Sequence, residues 1–143
     1  MKTNNPVEHP VCPRCIKYHI FVEGIPKAQP RIRKGKYGNF YNPDIADTWK
    51  ETIQLAFLKN KKPIIEGPVS LMLIFYFQKN INGKLPLPHI YKPDKDNLEK
   101  AVMDSLTQIG VWKDDCQVYD SHTIKYWSPI KTGVEIIIEE EVK

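Results

Sequence analysis

Apolar and polar positions alternate one by one in "YHIFVEG" at residues 18 to 24, the period of a strand with one face buried. The stretch ends at Gly24-Ile25-Pro26, which predicts the strand's stop. "GPVSLMLIFYFQKN" at 67 to 80 is apolar almost throughout and rich in β-branched and aromatic residues, which predicts a central strand. Between these, Ile45, Trp49, Ile53, Leu55, Ala56 and Phe57 follow largely helical spacing. Asn42 as N-cap, Pro43 at the first helical position and Asp44 open that helix, and Lys59 to Pro63 dissolve it. A second helix starts at Asp96, turns Leu98, Val102, Leu106 and Ile109 to one apolar face and stops at Gly110. After Asp114 and Asp115, "CQVYDSHTIKYW" and "GVEIIIEEEV" predict two antiparallel strands joined by "SPIKT". The order β-α-β-α-β-β implies an α+β fold, a mixed sheet with two helices packed on one side.

The segments outside this pattern are as informative. Residues 1 to 17 read as an irregular N-terminal arm, leaving one domain over 18 to 143. "PKAQPRIRKGKYGNFYNP" is broken by Pro and Gly and predicts an irregular loop. A second long connection runs from about 79 to 93, a length more often seen where a loop has work to do than in a simple link. There is no internal repeat.

Composition narrows the class. At 143 residues the chain suits one compact domain, burying about 68 to 70% of the surface its unfolded form exposes. With 41% apolar and 27% charged residues it is neither disordered nor membrane-like. The apolar run at 69 to 77 is about half of what a spanning helix needs, and the first ten residues hold no secretory apolar core. Three cysteines argue against a disulfide framework, and together these features predict a cytoplasmic protein. The net charge of +4 matters less than its placement. No acid lies between Glu23 and Asp44, whereas Lys27, Arg31, Arg33, Lys34 and Lys36 fall within ten positions. That loop attracts polyanions, and salt would weaken the attraction.

The candidate chemistry lies in "KPDKDNLEKAVMDSLTQIGVWKDD" at 92 to 115. Asp96 with Glu99 matches a capping box and needs no metal for its explanation. Asp94 is not explained that way. In the extended segment after Pro93, residues i and i+2 face the same way about 7 Å apart, so Asp94 and Asp96 can converge on one ion. Asp96, Lys100 and Asp104 form a stripe at i, i+4 and i+8, off the apolar face. Lys100 is then either half of an exposed helix ion pair with Asp104 or a cation beside a metal-bound phosphate. A strand starting at Asp115 alternates Asp115, Gln117 and Tyr119 on one face, so either Asp114 or Asp115 can face back toward the first pair. Clustered carboxylates raise one another's pKa unless a cation compensates, and oxygen-only ligands favour Mg²⁺ or Mn²⁺. The alternative is a polar surface with a capped helix.

The same residues carry a family resemblance. The run D-x-D-N-x-x-K at Asp94 to Lys100, the helix with Asp104 at its middle, the small turn with Trp112, and D-D-x-x-V from Asp114 resemble the signature of the RusA family of Holliday-junction resolvases. "VEGIPKAQPRIR" and "YNPDIADTWKETI" extend a weaker likeness, so that it spans about 18 to 140. The resemblance implies a metal-dependent structure-specific endodeoxyribonuclease, often carried by phages and prophages, that serves DNA recombination and repair. It places metal-binding aspartates at Asp94, Asp96 and Asp115, with an essential lysine at Lys100. Asp114 becomes a neighbour. It implies Mg²⁺ with Mn²⁺ as a substitute, branched DNA as partner, and a homodimer whose two sites match the near-twofold symmetry of a four-way junction. Lys92, next to Pro93 where some members carry a basic residue, joins Lys27, Arg31, Arg33, Lys34 and Lys36 as an expected phosphate contact.

Two readings compete with this one: a non-catalytic nucleic-acid-binding module using the basic loop, and a nuclease for flaps or forks. Cys12 and Cys15, with His9 and His19 nearby, form half of a zinc knuckle, but structural zinc sites pair two such halves. His89 and His122 receive no role, and Trp49, Trp112 and Trp127 are expected in the core.

Overall fold

The computed structural model describes residues 13–29, 33–34, 40–41, 44–80 and 87–142. Among the described residues, seven strands and two helices follow in the order β1 (Arg14–Glu23), β2 (Arg33–Lys34), β3 (Phe40–Tyr41), α1 (Asp44–Leu58), β4 (Val69–Gln78), β5 (Leu87–Pro88), α2 (Lys95–Gln108), β6 (Val118–Ser128) and β7 (Gly133–Glu141). A short 3₁₀ helix, Asp115–Gln117, precedes β6. The five-stranded sheet has the order β1-β7-β4-β6-β5; β4 pairs with β6 in parallel and every other pairing in it is antiparallel. The α+β class, the mixed sheet and the two helices agree with the sequence reading.

The period of each element sets the layers. In β4, Val69, Leu71, Leu73, Phe75 and Phe77 are buried on one face while Met72, Ile74 and Tyr76 are partly exposed on the other. Helix α1 adds Trp49, Ile53 and Phe57 at four-residue steps to the buried face, and α2 adds Leu98, Val102 and Leu106. Both helices therefore cover one side of the sheet, meeting the inward residues of β7, Val134, Ile136 and Ile138. Each large apolar side chain buried here contributes about 1.5 to 3 kcal/mol.

Several expectations are corrected. The strands from 118 and 133 run in opposite directions but are not neighbours, because β4 lies between them. The connecting segment is too short to bring in a helix, yet Ser128–Thr132 still lets the chain step across one strand. β1 begins at Arg14, inside the segment read as an irregular arm, because Arg14 through Ile16 still pair with Glu141 through Glu139. The basic loop is not wholly irregular, since Arg33 pairs with Tyr41 and Lys34 with Phe40. The expected cap at Asn42-Pro43 and residues 81–86 of the long loop lie outside the described residues.

The end of α2 is closed by specific bonds. Gly110 takes φ +74, where a side chain is disfavoured, and Val111 N–H donates to the Leu106 carbonyl at 3.0 Å. Buried Trp112 donates from Nε1 to Thr107 Oγ1 at 2.7 Å. This turn delivers the chain to Asp114 and Asp115 at a fixed place beside the helix.

Candidate active site

The cap of helix α2 lies two residues earlier than the expected Asp96. Its N-cap is Asp94, extended at φ −70 and ψ 146, and Leu98 N–H donates to the Asp94 carbonyl at 3.1 Å. Asp96 is thus inside the first turn, where its carboxylate favours the helix dipole and accepts from Asn97 N–H at 3.0 Å. The capping box expected of Asp96 and Glu99 does not form. Glu99 instead accepts from Thr123 Oγ1 at 2.9 Å, tying α2 to β6. The Asp94 carboxylate makes no capping bond, which leaves it turned to other partners.

Asp94 and Asp96 line one cleft of about 600 Å³, together with His89, Tyr91, Lys92 and Lys125. Exposed Lys92 reaches Asp94 at 3.1 Å, an ion pair of small worth in water that a stronger cation displaces. Lys92 is therefore engaged with a carboxylate rather than held out alone toward a phosphate. Lys125 is the residue that sequence reasoning missed. Its Nζ donates to the Tyr91 carbonyl at 2.6 Å and the Pro93 carbonyl at 2.7 Å. Burial lowers its pKa, nearby Lys92 lowers it further, and Asp94 opposes them. One signal was present: Lys125 pairs with inward-facing Phe75, so alternation along β6 puts a charge on the helix-covered face.

Behind the cleft, His89 is buried and stacks on Trp127 at 4.0 Å and on Phe77 at 4.5 Å between ring centroids. Burial, followed by the charge of Lys125, depresses its pKa, and Tyr91 N–H donates to its Nδ1 at 3.3 Å. A neutral imidazole is what that acceptor role requires. Trp49 and Trp112 are buried as expected, whereas Trp127 is only partly so. His122, also without an assigned role, sits 3.4 Å from Asp120.

Asp115 lies outside α2, after the turn that closes it. It belongs to the 3₁₀ helix rather than to the start of a strand, so the alternation expected from Asp115 to Tyr119 does not apply. Asp114 accepts from Cys116 N–H at 3.0 Å, and Gln117 fixes the turn by accepting from Lys113 N–H and Asp114 N–H. Gln117 also donates to the carbonyls of Ile65 and Gly67 at 2.9 and 3.0 Å, anchoring the turn to the segment before β4. A hydrogen bond to Asp114, burial, and the charges of Asp114 and Asp104 raise the pKa of Asp115, while Lys100 lowers it. Asp114 is held low, first by the Cys116 backbone N–H. Asp115 thus feels the charges of Lys100 and Asp104 on the helix stripe. Among the described residues no three His, Cys, Asp or Glu side chains are grouped closely enough to hold an ion by themselves.

Asp104 is not paired with Lys100. Its Oδ2 accepts from Lys50 Nζ of α1 at 2.6 Å, and Lys50 is buried. Lys100 is exposed and makes no ion pair among the described residues, so its charge is available on the stripe between Asp96 and Asp104.

The chain's similarity to known proteins follows this geometry. The family model for endodeoxyribonuclease RusA matches residues 22–139, which takes in both carboxylate groups and all of α2. The chain belongs to the RusA family. The crossover junction endodeoxyribonuclease rusA of Enterobacteria phage 82 is 41% identical over 87 residues, 59% of this chain and 70% of that protein. The RusA proteins of Escherichia coli (strain K12) and Shigella sonnei (strain Ss046), which carry the same descriptive name, are each 41% identical over 56 residues, 38% of this chain and 45% of theirs. RusA-family membership agrees with the span of the motif resemblance.

For a metal, the donor set fits. Mg²⁺ is commonly held by one or two carboxylates together with waters and substrate phosphates, and Asp94 and Asp96 offer two carboxylates on one cleft wall. The residues expected to contact DNA are only partly among those described. Lys27 lies at the foot of the basic loop, in a depression of about 410 Å³ shared with Gly24, Trp49 and Thr52. Two residues on, Gln29 N–H donates to the Asn97 carbonyl at 3.0 Å, which docks the loop's stem beside Asp96. Arg33 and Lys34 lie on β2, and Arg31 and Lys36 are outside the described residues. Of the zinc candidates, His9 and Cys12 are outside them too. Cys15 is exposed on β1, and His19 is engaged by Glu135 at 2.6 Å. No helix among the described residues is long and apolar enough to cross a membrane.

Proposed function

We propose that this chain is a Mg²⁺-dependent, structure-specific endodeoxyribonuclease that resolves four-way DNA junctions by paired symmetric nicks. The observation that carries the reading is the shared cleft of Asp94 and Asp96 at the start of α2, in a RusA-family chain whose relatives are named crossover junction endodeoxyribonucleases. Bound there, Mg²⁺ or Mn²⁺ would supply Lewis-acid activation of water and charge stabilisation on phosphorus.

The chain's own residues divide the remaining work. Asp94 and Asp96 hold the ion, and Asp94 exchanges Lys92 for it. Lys100, exposed one turn beyond Asp96, balances negative charge on the scissile phosphate. The family resemblance adds Asp115, which feels the charge of Lys100, to the metal ligands. Lys27, Arg31, Arg33, Lys34, Lys36 and displaced Lys92 neutralise backbone phosphates, which fixes the duplex arms without reading sequence. A homodimer provides the second site that paired nicks require. Recombination and repair, in a phage or prophage setting, is the context this reading implies.

The test uses a labelled four-way junction beside linear duplex of the same sequence, in Mg²⁺, Mn²⁺, Ca²⁺ or EDTA, with Asp96→Asn as control. Symmetric nicks on the junction alone, needing Mg²⁺ or Mn²⁺ and absent in the variant, are expected. Binding without cleavage in every metal would make the chain a DNA-binding module. Cutting of flaps or forks in preference to junctions would replace the substrate.

A further inference from the structure

Asp94 sits at the end of the segment Tyr91-Lys92-Pro93, which has no strand or helix of its own to hold it. Its carbonyls would be free to reorient were they not fixed from β6. Lys125 reaches across from the sheet, and its ammonium spans the Tyr91 and Pro93 carbonyls at 2.6 and 2.7 Å. Backbone pairing reinforces the link one step back, where His89 N–H donates to the Lys125 carbonyl at 3.0 Å. A half-buried lysine spends its charge here on two backbone carbonyls beside a carboxylate cleft. An ammonium has three donors, so one remains on the cleft side.

We propose that Lys125 is a positioning residue: it clamps the Tyr91–Asp94 segment so that Asp94 and Asp96 present their carboxylates together to one divalent cation. The inference rests on the metal reading above, and goes beyond it by assigning the second layer that orients the ligands. Groups in that layer typically govern metal affinity by 10- to 100-fold.

The sign of one measurement separates this role from a simple charge effect. Removing a positive charge near two carboxylates tightens cation binding by electrostatics alone, whereas loosening the clamp weakens it. Mn²⁺ is titrated into the full-length protein without DNA, with free ion read by electron paramagnetic resonance. Amide hydrogen exchange is followed over residues 89 to 96. For Lys125→Gln the expected result is Mn²⁺ binding about 10- to 100-fold weaker, with faster exchange in that segment and none of note in β4. Lys125→Met, which keeps the aliphatic stem and removes every donor, serves if the first variant folds poorly, and the same loss is expected. Unchanged or tighter Mn²⁺ binding in the folded variants, or unchanged exchange, overturns the inference while leaving the metal reading intact. An unaltered chain that binds no Mn²⁺ overturns the metal reading, and the inference falls with it.

Discussion

Lys50 Nζ and Asp104 Oδ2 stand 2.6 Å apart and join α1 to α2 across the layer that covers the sheet. Lys50 is buried while Asp104 keeps some contact with solvent, so losing the carboxylate strands an ammonium in a poorly hydrated place. Asp104→Ala is expected to lower stability by about 2 to 3 kcal/mol. Adding Lys50→Met should return most of it. Urea unfolding of the two single variants and the double variant checks this; additive losses would mean the pair carries no coupling.

Asp96→Asn should separate chemistry from folding. Asp96 does not cap α2, and its carboxylate accepts only from Asn97 N–H among the described residues, so the melting temperature is expected to move little. Junction cleavage is expected to fall by more than about a hundredfold with junction binding retained, and EDTA should mimic the variant. Gel-shift and cleavage assays on one preparation read both.

Acid should weaken the fold partly through His89. Burial and the charges of Lys125 and Lys79 depress its pKa in the folded chain. Above the unfolded value of about 6.5 the imidazole is neutral in both states and its stabilising contribution is complete. As pH falls below that, the unfolded chain takes up the proton first, and stability drops until the folded pKa is passed. His89→Phe is expected to flatten this fall between about pH 7 and pH 5. Urea midpoints at several pH values test it, and an equally steep fall in the variant would refute the assignment.

Gln29→Pro removes the N–H that bonds to the Asn97 carbonyl. The basic loop's stem then loses its fixed place beside Asp96. Junction affinity is expected to weaken by about fivefold, or ~1 kcal/mol, while the slope of binding against salt stays the same because no cation is lost.

At Gly133 the backbone sits at φ +153, and an added Cβ would meet the Val22 carbonyl oxygen at 2.2 Å. Gly133→Ala is expected to cost about 2 to 4 kcal/mol by forcing β1 and β7 apart. Thermal unfolding measures it.

Much of this fold was legible because periodicity is local. The stripe of Leu98, Val102 and Leu106, the stop at Gly110 and the central place of β4 follow from apolar spacing and a glycine's left-handed φ. Strand pairing is not local. Nothing in "CQVYDSHTIKYW" says that its neighbour is a parallel β4 rather than the strand that follows it. The cap shifted from Asp96 to Asp94 because both residues suit that role, and sequence spacing alone does not choose between them. Asp94 and Asp96 were legible as a pair. The place of Asp115 was not, since it depends on a 3₁₀ turn held by Gln117 to backbone carbonyls some fifty residues away. Lys50 was hidden because a buried lysine declares itself through the partners that tertiary packing brings to it, and the one sign of half-buried Lys125, its place opposite Phe75, needs the strand pairing to be known.

The sheet order also dictates a sequence in time. Within the five-stranded sheet β7 comes last in the chain, yet it lies between β1 and β4, so β1 has no partner in that sheet until residues from Gly133 onward have emerged. The parallel pairing of β4 with β6 needs no such delay, because every residue in it has been made once Ser128 exists. The elements around the cleft can therefore meet before β7 exists, while β1 waits longest of the sheet's strands to dock. Closing so distant a pairing is slow compared with forming a helix.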